Sequence, residues 1–230
     1  MTLARETFNE RCLEVEQLLR YLEESEDPSS LSKPNTPKGE TLRILRSSCY
    51  VMIYSMIEST MSVCLTDLAS AVRNTATSIR ELDDQIFARY LISKYNNKLI
   101  TSSHDKGVSL AREFMDELDQ RTIPQFSFAP PSGNCTENQI VKTLRGVGIE
   151  LRLDPALNTR VKRKTSNDRT VIESLVQVRN DLAHGNRAFS EVGQDCTAFD
   201  LRATFELSIE FMAIVIGHFE SYIEASGYLK

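Results

Sequence analysis

The chain has 230 residues, of which 41% are hydrophobic, and its formal net charge at pH 7 is -5. This length and apolar content are sufficient for one large domain with a buried core, and the composition excludes collagen-like and strongly disordered proteins. Proteins that coat nucleic acid are usually basic overall, so the acidic balance argues against that class but not against a local basic groove.

Apolar residues recur at helical spacing from the N-terminus onward. The first amphipathic helix should stop by Asp27-Pro28, and residues 27–39 contain three prolines and three serines, which is typical of a surface connector. The next helix, over residues 42–72, is apolar on two sides. Such a helix is expected at the centre of a bundle.

The rest of the chain continues this helical pattern. Thr136 and Gln139 have the spacing of a capping box, and the segment 121–135 before them contains three prolines and is predicted to be a loop. The further predicted helices cover residues 86–99, 108–118, 136–148 and 197–225. There is no alternating strand pattern and no internal repeat, so the sequence predicts a single all-α domain over residues 1–230.

The most informative stretch is RNDLAHG at residues 179–185. The apolar spacing before it predicts a helix, and Gly185 is the residue type that ends helices in the left-handed conformation. Asn180 and His184 share one helix face, while Arg179 lies roughly 140° round from His184. The guanidinium and the imidazole can therefore reach one cleft only if the helix ends or bends at Gly185.

Each of these side chains also has a purely structural interpretation. His184 could satisfy a carbonyl group at the helix end. Arg179 could form a solvated ion pair with Asp181 or Glu173. Asn180, which is unfavourable inside a helix, could cap it instead of orienting the histidine or a phosphate.

Two carboxylates are candidates for an accessory role. Glu58 lies within the long apolar helix, either on an exposed strip or semi-buried beside a partner such as Arg179. Asp181 lies inside RNDLAHG itself.

A basic segment precedes the RNDLAHG helix. Residues 160–169 carry five basic residues against one acidic residue, in contrast to the acidic chain. Lys162, Arg163 and Lys164 are the candidates for RNA binding through phosphate, with a solvated loop as the alternative.

RNDLAHG resembles the Arg-Asn-x-x-x-His signature of the HEPN superfamily, a group of all-helical domains that includes many metal-independent ribonucleases of toxin–antitoxin and phage-defence systems. The surrounding order of elements is similar to its MAE_28990/MAE_18760-like branch over about residues 40–225. These elements are the long helix at 42–72, a Ser-Gly-Asn turn at 132–134, a short helix ending near Gly148, and the helix that closes on RNDLAHG. The resemblance implies a HEPN-type helical bundle with extra helices and loops, with the motif region at residues 168–190.

The resemblance also implies an endoribonuclease in which a ribose 2′-hydroxyl attacks the adjacent phosphate. Arg179 would bind phosphate oxygens, His184 would act as base or acid, and Asn180 would support them. One histidine lies on only one side of the phosphorus, so a homodimer that joins two copies would complete the site. The alternatives are a non-catalytic HEPN module that binds nucleotide, RNA or a partner protein, and a helical scaffold in which RNDLAHG is only a helix end.

No cofactor and no metal site are predicted. The chain lacks a P-loop, G-x-G-x-x-G, H-E-x-x-H and G-x-S-x-G, and its three histidines have no metal-ligand spacing. The five cysteines are scattered without a C-x-x-C pair, which favours neither disulfides nor zinc. No secretory signal and no uninterrupted apolar span of about 20 residues is visible, so we expect a cytoplasmic protein without a membrane partner. The expected partners are RNA, a second copy of the chain and a cognate antitoxin protein.

Overall fold

A computed structural model describes residues 2–27, 29, 39–95, 104–119, 127–130, 134–165 and 167–230, with only the backbone of residues 104–106. These residues form nine α-helices and a 3-10 turn at Ile79–Glu81, and they contain no strand. The helices are α1 (Leu3–Glu26), α2 (Glu40–Thr75), α3 (Asp84–Tyr95), α4 (His104–Asp119), α5 (Glu137–Arg145), α6 (Pro155–Lys162), α7 (Val171–Ala183), α8 (Phe189–Gln194) and α9 (Ala198–Glu224). The prediction of an all-α fold is confirmed.

The helix α2 is at the centre of the fold, as its two apolar stripes predict. It packs against α1, α7, α8 and α9. The stripe formed by Ile53, Ile57, Met61 and Leu65 is completely buried. Burying each side chain of this size stabilises a fold by about 1.5–3 kcal/mol, so packing rather than helix propensity fixes α2 in place.

Several predicted boundaries agree with the structure. α1 ends at Glu26, and Thr136 caps α5 by accepting a hydrogen bond from the Gln139 backbone N–H at 3.3 Å. The predicted continuation of α3 to residue 99, and parts of the predicted loop at 121–135, lie outside the described residues.

Two short helices, α6 and α8, were not predicted. α6 begins with Asp154 as its N-cap and Pro155 in its first turn, and it includes residues 160–162 of the basic segment, for which a solvated loop was one of the two alternatives. The start of α6 carried a local signal, because an Asp N-cap followed by Pro is a favourable way to begin a helix.

The second unpredicted helix, α8, is held against α2 by backbone contact. A Cβ atom at Gly193 would lie 1.8 Å from the carbonyl oxygen of Arg43, so only glycine fits there. Arg46 Nη1 donates to the Gly193 carbonyl at 3.2 Å, and Ser47 Oγ donates to the Phe189 carbonyl. These contacts place α8 directly after RNDLAHG and beside the first half of α2.

By length and composition, α2 is also apolar enough to cross a membrane. Half of its most apolar window is buried inside the fold. Core helices of globular domains pass the same test, so this is weak evidence for a membrane span.

Candidate functional site

The motif helix α7 begins and ends as its sequence predicts. At its start, Thr170 and Glu173 form a reciprocal capping box, with hydrogen bonds of 2.9 and 3.2 Å. At its end, the His184 backbone N–H donates to the Asn180 carbonyl at 3.0 Å, and Gly185 adopts a φ of +69°. The predicted left-handed helix end at Gly185 is confirmed, and His184 is the C-cap residue.

Arg179 points towards α2. Its Nη2 atom donates to the Tyr54 hydroxyl at 2.7 Å and to Glu58 Oε1 at 3.3 Å. The guanidinium carbon lies 4.4 Å from the centre of the Tyr54 ring, within the range of a cation–π interaction. Of the alternatives that the sequence left open, the structure therefore has Arg179 paired with Glu58, whose side chain is 39% exposed.

Tyr54 is the residue of this network that sequence reasoning missed. Its hydroxyl donates to Glu58 Oε1 at 3.3 Å and accepts from the Cys135 backbone N–H at 3.4 Å as well as from Arg179. Burial raises the pKa of the Tyr54 phenol, so the group remains a neutral hydroxyl at physiological pH. A signal was available, because Tyr54 and Glu58 are four residues apart and therefore share a helix face.

Asn180 holds the guanidinium from the other side. Its Oδ1 atom accepts from Arg179 Nη1 at 2.9 Å, and its Nδ2 atom donates to Asn134 Oδ1 at 3.1 Å. The Asn180 carboxamide therefore does not cap the helix. Instead, it joins α7 to the segment before α5. Of the predicted Ser-Gly-Asn turn, residues 132 and 133 lie outside the described part of the chain.

A cavity of about 240 Å³ opens beside Arg179. Its lining residues are Val51, Tyr54, Ser55, Glu58, Arg179, Leu182, Ala183 and Phe189. His184 is exposed and directly follows Ala183, the last lining residue of α7, but it does not itself line the cavity. Within the described residues its imidazole makes no hydrogen bond, and the predicted alternative of a carbonyl partner for the ring is not observed.

The other candidates lie apart from this cavity. Asp181 Oδ1 accepts from Gln177 Nε2 at 2.8 Å, one turn back along α7. Lys162, Arg163 and Lys164 are all exposed, and Lys164 Nζ lies 2.9 Å from Asp168 Oδ1.

The basic segment and the RNDLAHG residues are at opposite ends of α7. Thr165 donates its backbone N–H to the Arg169 carbonyl at 2.7 Å, which keeps the segment beside the first turn of the helix. The helix has 13 residues, so its two ends are separated by roughly 18 Å at a rise of 1.5 Å per residue. Within one chain, the structure does not bring Lys162, Arg163 and Lys164 together with Arg179.

No group of three or more His, Cys, Asp or Glu side chains is placed to hold a metal ion within the described ranges.

A central helix surrounded by further helices, with Arg-Asn-x-x-x-His at the end of one of them, defines a HEPN-like helical domain. The family model described as HEPN_MAE_28990/-like HEPN matches residues 2–228, and the chain belongs to this family. The predicted branch is thus confirmed, over a longer part of the chain than about 40–225. Comparison with curated proteins and with solved structures finds no match. Family membership supports a ribonuclease-like or nucleotide-related module.

Proposed function

We propose that the protein is a metal-independent endoribonuclease of a toxin–antitoxin or phage-defence system, acting in the cytoplasm. The observation that carries this proposal is a guanidinium that Tyr54, Glu58 and Asn180 hold by hydrogen bonds, five residues before an exposed histidine. In a toxin–antitoxin setting, a cognate antitoxin protein would be the partner.

The arrangement of Arg179 suits the binding of a phosphate group. Its side chain is 22% exposed, and its Nε–H and one Nη1–H have no acceptor in the described part of the chain. Arginine keeps its charge at all physiological pH values, and its N–H groups match phosphate oxygens. Because the contacts to Tyr54 and Asn180 fix the guanidinium in advance, little reorganisation is needed when negative charge develops on the phosphorus.

His184 supplies the proton transfer that the reaction needs. As a base, its imidazole removes the proton of the ribose 2′-hydroxyl, and the oxygen attacks phosphorus as the bond to the 5′-oxygen breaks. The leaving 5′-oxygen must gain a proton from the opposite side. We therefore propose a two-fold homodimer in which the C-terminal ends of the two α7 helices face each other, so that His184 of the partner subunit acts as the acid.

The direct test is incubation of the purified chain with RNA in EDTA. We expect products with 2′,3′-cyclic phosphate and 5′-hydroxyl ends, and a loss of cleavage on the order of 10²–10⁴-fold for His184→Ala. His218→Gln is the matched control, because the His218 ring instead serves the fold, with Nε2 accepting from the Arg152 N–H at 3.2 Å and Nδ1 lying 2.9 Å from the Ile214 carbonyl oxygen. Strict dependence on magnesium or manganese would refute this mechanism.

Mixing wild-type and His184→Ala chains tests the composite site. If acid and base come from two subunits, excess variant should suppress wild-type cleavage once subunits exchange. Activity that falls only in proportion to the wild-type fraction, or a monomer that cleaves at the full rate, contradicts the dimeric site.

The second candidate is a non-catalytic HEPN module that binds nucleotide, RNA or a partner protein. It is favoured by the ion pair between Arg179 Nη2 and Glu58 at 3.3 Å, which gives the guanidinium a structural role that needs no catalysis. RNA binding that persists in His184→Ala without any cleavage by the wild-type chain would support this candidate.

A further inference from the structure

A second and larger cavity lies between α3 and α5. Its volume is about 490 Å³, which is within the usual range for small-molecule sites. It is lined by α3, α5, one residue of α2, Val147 and the segment 127–130, and it shares no lining residue with the cavity at Arg179.

The charge of this cavity is opposite to that of the chain. Arg89 and Lys142 both line it, and no carboxylate is found among its described lining residues. The chain as a whole carries a net charge of -5, so two unbalanced cations in one cavity indicate an anionic ligand.

The Arg89 guanidinium is fixed in position. Its Nε atom donates to the Gly146 carbonyl at 3.0 Å, and its plane lies so close to Gly146 that a Cβ atom there would be 2.0 Å from Nη2. The Nη1 and Nη2 groups have no acceptor in the part of the chain that is described. They are therefore the donors that remain for a ligand.

The remaining lining combines apolar side chains with polar groups. Ile92, which is 59% exposed, and the half-buried Phe128 form apolar surface, while Gln139 and Thr143 bring an amide and a hydroxyl group from α5. A phosphate monoester carries a charge of roughly -1.5 to -2 at pH 7 and three acceptor oxygens, which matches two cations and nearby hydroxyl and amide donors.

We propose that this cavity binds a small phosphate monoester whose phosphate is attached to a flat, largely apolar body. The phosphate would contact Arg89 and Lys142, and the flat body would lie against Ile92 and the Phe128 ring.

Calorimetric titration of the full chain with phenyl phosphate tests the proposal. Lys142→Gln should weaken binding by about tenfold or more, because a charged hydrogen bond is lost. Arg145→Gln is the matched control, since Arg145 is an exposed cation on the same helix that does not line the cavity, and its affinity should equal that of the wild type. Phenol and inorganic phosphate should each bind more weakly than phenyl phosphate.

A further variant distinguishes binding in this cavity from binding at Arg179 on α7. Arg179→Gln should keep the phenyl phosphate binding that Lys142→Gln weakens, because Arg179 does not line this cavity. Three outcomes would each overturn the proposal. The first is binding that is lost in Arg179→Gln and kept in Lys142→Gln. The second is equal weakening by Lys142→Gln and Arg145→Gln, and the third is no binding at all. Binding of phenol or inorganic phosphate as tight as that of phenyl phosphate would also overturn it.

Discussion

Replacement of Tyr54 by phenylalanine removes one oxygen atom from the centre of the network around Arg179. That oxygen accepts from Arg179 Nη2 at 2.7 Å and from the Cys135 N–H at 3.4 Å, and it donates to Glu58 at 3.3 Å. The residue is only 1% exposed, and its ring lies against the guanidinium. Phenylalanine would fill the same space and keep this stacking, so the variant isolates the hydroxyl group.

The expected cost follows from the two donors that lose their acceptor. A hydrogen bond from a charged donor contributes about 1.5–3 kcal/mol to stability, and a buried neutral N–H left without an acceptor costs on the order of 1 kcal/mol. Water can replace part of the first contact, because the Arg179 side chain is 22% exposed. We therefore expect the free energy of unfolding to fall by about 2 kcal/mol.

Urea unfolding followed by circular dichroism measures this change, and Tyr222→Phe is the matched control. The Tyr222 hydroxyl is buried and has no hydrogen-bond partner within the described residues, and burial raises the pKa of its phenol. Removing an unpaired buried hydroxyl should leave stability unchanged or increase it. Equal losses in the two variants would refute the assignment of Tyr54 as the acceptor that holds Arg179.

Further predictions concern the helix end, a buried acid and the basic segment. Gly185→Ala should reduce stability to urea by about 1–2 kcal/mol through left-handed strain, while Gly217→Ala, within α9 and with open space around it, should increase stability by about 0.5–1 kcal/mol; changes of the same sign would contradict this. Burial raises the pKa of Glu137 above its ordinary value of 4.5, so the contribution of this group to stability is complete below pH 4.5 and is lost as pH rises through the folded-state pKa. Glu137→Gln should therefore be more stable than the wild type at pH 7 and should lose that advantage at pH 4 in the same assay; a constant difference would exclude titration as the cause. Changing residues 162–164 to glutamate should weaken RNA binding in a filter assay at low salt and have less effect at high salt, because counterion release drives such contacts. Unchanged affinity at low salt would assign this segment to a solvated loop.

The features that were predicted correctly are those with local causes. The stripes of α2, the cap at Thr136 and the helix end at Gly185 depend on residues within one or two turns of one another. The helix α8 has six residues and depends on the backbone contact between Gly193 and Arg43. Such a contact joins distant parts of the chain, and no periodicity within α8 could reveal it.

The site was predicted only in part for the same reason. Arg179 and Tyr54 are 125 positions apart in the chain, so their contact depends on how α7 packs against α2. The pairing of Arg179 with Glu58 was one of two alternatives, and only the fold distinguishes them. For the basic segment, the structure adds that Lys164 lies at the start of α7 whereas His184 lies at its end.

Folding and chemistry place unequal demands on the residues of RNDLAHG. Arg179 ties α7 to α2, so its loss would weaken the fold and remove the proposed phosphate-binding group together. His184 contributes to the fold through its backbone, and its exposed ring can change at little cost to stability. In evolutionary terms, a descendant of this protein could lose its histidine and survive as a stable binding domain, whereas selection for folding alone would retain the arginine. As proteins of this architecture diverge, we therefore expect substitutions at position 184 to be accepted before substitutions at position 179.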